Sequence, residues 1–249
     1  SVNFGHLLLG GQFNSNATVT HSTLANQNES MLGFLSNATY IRQMGAWNVS
    51  GGFNYSQNVQ TFLVAYTSSG YGYSGSVGRR IGRLNWTGSV SGSRSLLTQQ
   101  TGTAAFTQTY STGLSGHWLS GSAGYSRSSG AGLFTAAGIT PLPSGIPPGF
   151  LPTSVLFGGT TYSASLGSTP IRNLTLNGTW LRSVNTTENG LLPSNNKTEQ
   201  LNSYVVYRFR QIYFNAGYSR LIQGFSASSL PPTNVSSYYF GISRWFKFF

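Results

Sequence analysis

Every second residue from Leu84 to Gly92 is apolar or lacks a side chain: Leu84, Trp86, Gly88, Val90 and Gly92. The residues between them, Asn85, Thr87, Ser89, Ser91 and Ser93, are small, polar and uncharged. A period of two is the signature of a strand with two unlike faces. The pattern recurs in Trp47, Val49, Gly51, Phe53 and Tyr55, in Leu119, Gly121, Ala123 and Tyr125, in Leu174, Leu176, Gly178 and Trp180, and in Ile212, Phe214, Ala216 and Tyr218. The alternate positions are again Ser, Asn, Thr and Gly, with Tyr213 as the bulky member.

These segments form an internal repeat of about 38 residues. Short turns are expected near Arg42–Gly45, Arg80–Gly82, Trp118, Pro170–Arg172 and Arg210–Gln211, and long polar or Pro-bearing connections at the opposite ends. The longest connection is the Gly- and Pro-rich stretch from Gly130 to Ser154. Short turns at one end and long loops at the other specify an up-and-down antiparallel sheet. The expectation is all-β, about twelve strands, in a single domain over residues 1–249. The strands are placed near 5–21, 31–42, 45–56, 61–79, 83–94, 104–117, 119–128, 157–169, 172–183, 200–210, 212–222 and 237–249. In the fourth, Phe62, Val64 and Tyr66 run on even numbers and Tyr71, Tyr73 and Val77 on odd, so a bulge or loop belongs at Thr67–Gly70.

Composition decides which solvent each face meets. Charged residues are 7% of the chain, against about 25% in an average soluble protein. Asp is absent, and the three acidic residues are Glu29, Glu188 and Glu199. A soluble sandwich would carry Lys, Glu and Asp on its water face; here that face is hydroxyl and amide. In a membrane barrel the apolar face meets lipid and the small polar face lines a lumen. Strands of this length, tilted, span a bilayer, and no apolar run approaches the roughly 20 residues of a membrane helix. Trp47, Tyr55, Trp118, Tyr125, Trp180, Tyr207 and Tyr218 stand where two interfacial girdles would lie. An even strand count would close the barrel with both termini on the short-turn side.

With its repeats and its aromatic end, YYFGISRWFKFF, the chain resembles Gram-negative outer-membrane β-barrel proteins. The resemblance is architectural and identifies no subfamily. It implies an outer-membrane location, contact with lipopolysaccharide, and a last strand (Trp245, Phe246, Phe248, Phe249) read by the barrel-assembly machinery. It also implies that Phe249, Lys247, Trp245 and Ser243 face outward. The alternative phase, with Phe248, Phe246, Arg244, Ile242 and Phe240 outward, is the more apolar, and the two stay open.

The net charge of +11 asks for an anionic partner. Scattered basic residues and the absence of any nucleic-acid-binding motif argue against DNA or RNA. Without cysteine there is no disulfide or thiolate site, and no cofactor is called for. His6, His21 and His117 have no Asp to work with; the Ser115–His117 spacing is ordinary in a chain this rich in Ser. The sequons fall mostly within strands and read as lumen residues rather than glycosylation sites. No enzymatic activity is expected.

The expected lumen wall is Asn48, Ser50, Asn54, Asn85, Thr87, Ser89, Ser91, Ser120, Ser122, Asn173, Thr175, Asn177 and Asn215. Arg83, Arg208 and Arg210 form a basic rim near the short turns. Arg94, Arg127, Arg182 and Arg220 end four lipid-facing rows and suggest a belt for lipid A phosphates. The function expected is a passive channel for small polar solutes with weak anion preference. The alternatives are a plugged barrel holding a partner chain in its lumen or at its loops, and the membrane anchor or translocator part of a longer chain, which a start at SVNF would suit.

Overall fold

The computed structural model describes residues 1–23, 30–60, 67–97, 104–131, 156–189, 192–225 and 231–244. Thirteen strands form one sheet, each antiparallel to its chain neighbours. They are β1 Val2–Leu8, β2 Gly11–Thr23, β3 Ser30–Met44, β4 Trp47–Gln60, β5 Thr67–Ile81, β6 Leu84–Leu97, β7 Ala105–Gly116, β8 Leu119–Ala131, β9 Leu156–Ile171, β10 Leu174–Asn189, β11 Leu192–Phe209, β12 Ile212–Phe225 and β13 Thr233–Arg244. The all-β, up-and-down antiparallel architecture is the expected one.

The sheet is stitched at one end by two-residue turns: Leu9–Gly10, Gly45–Ala46, Gly82–Arg83, His117–Trp118, Arg172–Asn173 and Arg210–Gln211. Gly45 and Gly82 take the positive φ (57° and 61°) that such hairpins demand at their first central position. Leu9 and Arg210 accept it too, at 50° and 55°.

The count of thirteen corrects the expected twelve. What reads as one strand over 5–21 is a hairpin of β1 and β2, closed at Leu9–Gly10. Leu7, Leu8 and Leu9 satisfy either phase of the alternation, so the reversal leaves no trace in the period. The expected placing of both termini at the short-turn end therefore fails. β1 starts opposite Ala17, in the middle of β2, and runs toward the turns, as β13 does. Any direct pairing of β1 with β13 would be parallel. Among the described residues these two strands share no ladder.

Three further differences are local. Of the fourth expected strand, residues from Thr67 on form β5, with no loop at Thr67–Gly70, while Phe62, Val64 and Tyr66 lie outside the described residues; the β4–β5 ladder carries an irregularity between Ser56 and Val59. The stretch from Val184 to Glu199, read as a long loop, is mostly ladder, with β10 and β11 paired out to Asn189 and Leu192. In β13, Arg244, Ile242 and Phe240 pair with Ile212, Phe214 and Ala216 on the apolar face. Of the two phases left open by the sequence, β13 follows the more apolar one as far as Arg244, and Ser243 pairs with Tyr213 on the opposite face. Trp245, Phe246, Phe248 and Phe249, and the loop at Gly130–Ser154 apart from its first two residues, which end β8, fall outside the described residues.

The sheet has no core on either side. No described side chain is fully buried, and Leu166 and Phe240 on the apolar face are 59% and 71% exposed. The accessible surface is 18315 Å², where a compact soluble protein of this mass would present about 11,000 Å². Strands touch substantially only their sequence neighbours. Leu84, Trp86, Leu176 and Phe214 do not converge on a shared dry interior; they stand side by side on one open face.

Close strand approach is a second requirement on sequence. A Cβ on Gly70 would be driven into the Arg94 carbonyl oxygen and close to the Ser95 Cα, both backbone. Gly70→Ala is therefore expected to destabilise by about 1–3 kcal/mol, read as an earlier midpoint in denaturant unfolding.

Candidate functional site

The ladders sort the residues into two faces. One carries Asn48, Ser50, Asn54, Asn85, Thr87, Ser89, Ser91, Ser120, Ser122, Thr175, Asn177 and Asn215 together, as their cross-strand partners require. Asn173 is not among them: it sits in the Arg172–Asn173 turn, where its carbonyl accepts from the Arg208 N–H at 2.8 Å. Two clefts of the sheet, lined mainly by Asn48, Arg80, Asn85 and Thr87 at one place and by Asn14, Asn16, Asn37 and Thr39 at another, are formed chiefly by this face, which is called the concave face on account of these hollows.

Hydroxyls on this face bond across strands: Ser50 to Ser76 and Ser89 to Ser111 at 2.6 Å, Ser122 to Ser165 and Ser93 to Thr107 at 2.7 Å. Each such pair fastens neighbouring strands with short side chains and leaves the space above them free. A second device was not legible in the sequence. Asn54, Asn185 and Asn215 each lie opposite a glycine (Gly72, Gly159, Gly241) and occupy the place its Cβ would take. Glycine lets the amide lie flat against the wall instead of projecting.

The hydroxyl character fades toward one edge. From β10 to β13 the concave face carries Leu181, Tyr204, Val206, Leu221, Val235 and Tyr239. Tyr239 covers Gly217, its rung partner.

The cations at the turn end divide between turn and strand. Arg208 is on the concave face, its guanidinium over the Tyr213 ring at 5.5 Å and its Nε–H donating to the Arg210 carbonyl at 3.1 Å. Arg83 and Arg210 occupy the turns Gly82–Arg83 and Arg210–Gln211 rather than strand rows. Arg80, which sequence reasoning passed over, is on the concave face opposite Asn85 and donates from Nε to the Gly82 carbonyl at 3.3 Å. Arg80 and Arg208 are thus held by the same device, a carbonyl two residues on, within the adjoining turn.

The other face is apolar and is bordered by arginine at both ends. Toward the turns stand Arg42, Arg79 and Arg244; toward the long connections stand Arg94, Arg127, Arg182 and Arg220. Between these rows, among the described residues, the face holds no Lys, Arg or Glu. Aromatic rings gather at its two margins. Near the turns Trp47 meets Trp86 edge-on at 6.3 Å, with Arg79 over Trp47 at 4.6 Å, and Tyr207 stacks with Phe214 at 6.4 Å. Near the connections Tyr125 meets Tyr110 at 6.1 Å and Tyr162 at 5.0 Å, and Tyr218 meets Tyr238 at 4.8 Å. Three polar side chains within the face find partners in it. Trp86 Nε1–H donates to Thr112 Oγ1 at 3.0 Å, Trp180 Nε1–H to Glu199 Oε1 at 3.3 Å, and Gln108 bonds the Tyr73 and Tyr110 hydroxyls.

His117 lies in a turn, not on the Ser115 row, and its carbonyl accepts from the Thr169 hydroxyl at 3.5 Å. Among the described residues no three His or acidic groups come together as metal ligands would.

No family model and no curated protein matches the chain. Among solved structures, a loop-deletion mutant of OmpT, an outer membrane protein of Vibrio cholerae, matches at 10% identity, covering 96% of this chain and 78% of that one, with a TM-score of 0.42. The outer membrane channel DcaP of Acinetobacter baumannii matches at 9% identity over 96% and 82% of the two chains, with a TM-score of 0.43. A KdgM porin in complex with disordered oligogalacturonate matches at 10% identity over 86% and 94%, with a TM-score of 0.24. The chain is similar to outer-membrane β-barrel proteins.

Proposed function

We propose that the chain forms the wall of an outer-membrane β-barrel and acts as a passive, non-enzymatic channel for small polar solutes with a weak preference for anions. One observation carries the membrane part: an uncharged apolar band bounded on both sides by arginine. From Trp86, on the rung of Arg79, to Arg94 is eight residues, and from Ile212, on the rung of Arg244, to Arg220 is again eight. Eight residues span about 26 Å along a strand, or about 20 Å of depth at a tilt near 40°, and arginines at the margins can snorkel outward. Such a band matches the lipid-facing belt of a transmembrane barrel. The partnered Trp and Gln side chains fit a face that water does not reach.

The channel part rests on the concave face. Side chains of Ser, Thr and Asn, held flat by cross-strand bonds and glycines, leave room above the wall for water and solute. Arg80 and Arg208, with Arg83 and Arg210 in the adjoining turns, would favour anions at the turn-side mouth. Reconstitution into planar bilayers should give stepwise conductance. Heat-modifiable, detergent-extracted protein that inserts and gives no steps would remove the channel.

A second reading has its own support. The sector of Leu181, Tyr204, Val206, Leu221, Val235 and Tyr239 on the concave face suits a segment of polypeptide better than open water. On that reading the lumen is filled, and the same recording stays silent.

A further inference from the structure

We propose that Arg94, Arg127, Arg182 and Arg220 form one level line of phosphate sites that hold the headgroups of phosphorylated lipids in the leaflet beside the long connections. The proposal rests on the membrane reading above and adds a ligand class to the apolar face.

Register is the evidence. On the hydrogen-bonded rungs the four arginines are not level. The rung of Arg94 passes through Phe106 to Ser129, two residues beyond Arg127. The rung of Arg127 passes through Thr160 to Val184, two beyond Arg182. The rung of Arg182 passes through Glu199 to Ile222, two beyond Arg220. Each hairpin therefore steps the next arginine two residues toward the turns. Two residues are about 6.6 Å along the strand, and two strands are about 9.6 Å across the sheet. The line of arginines is inclined to the rungs by about 35°, which is the tilt that strands adopt in a transmembrane barrel. The turns descend in the same sense. Leu119 shares its rung with Leu176, two residues past the start of β10, and Leu174 shares its rung with Tyr207 and Phe214, two past the start of β12. Arg127, Arg182 and Arg220 each stand eight residues from the start of their strands, and Arg94 ten. In the tilted wall, then, the four share one depth.

Their surroundings leave the guanidinium groups available. All four are exposed. Among the described residues the side chains of Arg94, Arg127 and Arg182 make no hydrogen bond or ion pair, and Arg220 donates from Nε to Asn234 Oδ1 at 3.3 Å. Glu199, the rung neighbour of Arg182, accepts from the Trp180 indole instead. Tyr125, Trp180 and Tyr218 lie one step deeper on the same rows, where amphipathic rings meet the headgroup boundary. Successive arginines are about 12 Å apart, too far for two to grip one phosphate. Each takes its own, by the paired donors that guanidinium offers to a phosphate oxyanion.

The test compares wild type with R94Q/R127Q/R182Q/R220Q by native mass spectrometry after exposure to mixed micelles of phosphatidic acid and a neutral galactolipid. Wild type should retain phosphatidic acid in about tenfold preference, and the variant should lose that preference. R80Q/R83Q/R208Q/R210Q, with the same net charge, should keep it; equal loss there would mean bulk charge and overturn the line. Unchanged preference in the first variant also overturns it. Inorganic phosphate at the same concentration should not displace the lipid, and full displacement would make the ligand free phosphate. A boiling-dependent gel shift scored on the same samples separates the two failures: a protein that shifts but shows no preference loses the arginine line, and one that never shifts loses the membrane reading with it.

Discussion

Arginine in place of Val90 is expected to lower folding stability in a bilayer by about 2–4 kcal/mol, whereas arginine in place of Ser89 should cost about 1 kcal/mol or less. The two residues are adjacent in sequence and opposite in the sheet. Val90 is four residues from Trp86 and four from Arg94, halfway between the two arginine rows on the apolar face. At that depth a guanidinium cannot reach either margin, and the desolvation cost is near its maximum. Ser89 pairs with Ser76 and Ser111 on the concave face, and its loss surrenders one cross-strand hydroxyl bond at 2.6 Å. A positive side chain there enters a wet space and should appear as altered current. Urea unfolding in lipid vesicles reads the first effect and single-channel recording the second. A costlier Ser89→Arg would invert the faces.

Reversing the concave arginines should reverse ion selectivity. In R80E/R208E the mouth at the turn end changes by four charges, from two guanidinium groups to two carboxylates. Arg80 and Arg208 suit this exchange because turn carbonyls hold both of them at the opening. At about 0.01 M salt, where screening extends roughly 30 Å, the reversal potential under a KCl gradient should change sign. At about 1 M, where it extends roughly 3 Å, wild type and variant should converge. A preference for cations in the wild type, or no change in the variant at low salt, would show that the rim does not select.

The strand faces were legible in the sequence because each meets a different solvent along most of its length. Trp86, Val90, Leu176 and Phe214 cannot exchange places with Thr87, Ser89, Asn177 and Asn215, so the period of two survives. It fails where that contrast fails. Residues 185–189 and 192–198 continue as strand beyond the apolar band, where polar residues fall in both phases and nothing alternates. At Leu7–Leu9 both phases are apolar and the Leu9–Gly10 reversal is hidden, which cost one strand in the count. Arg80 went unnoticed because its neighbour Arg79 is equally basic, and only the pairing with Asn85 and Trp86 assigns the two to opposite faces. The stagger of Arg94, Arg127, Arg182 and Arg220 is a property of strand register. Register is a relation between segments, and no single segment displays it.

A sheet with neither face enclosed also changes what a truncated side chain leaves behind. In an ordinary protein, cutting a buried leucine to alanine adds the cost of a void to the lost transfer energy, because packed neighbours relax only in part. On the apolar face of this wall the neighbours would be acyl chains, which flow. Leu176 shortened to alanine would leave no hollow, and the loss would stop near the transfer contribution, about 0.8 kcal/mol for each methylene removed. Evolution could then exchange these residues freely for others of similar greasiness, constrained by the shape of the hydroxyl surface behind them and hardly at all by their own.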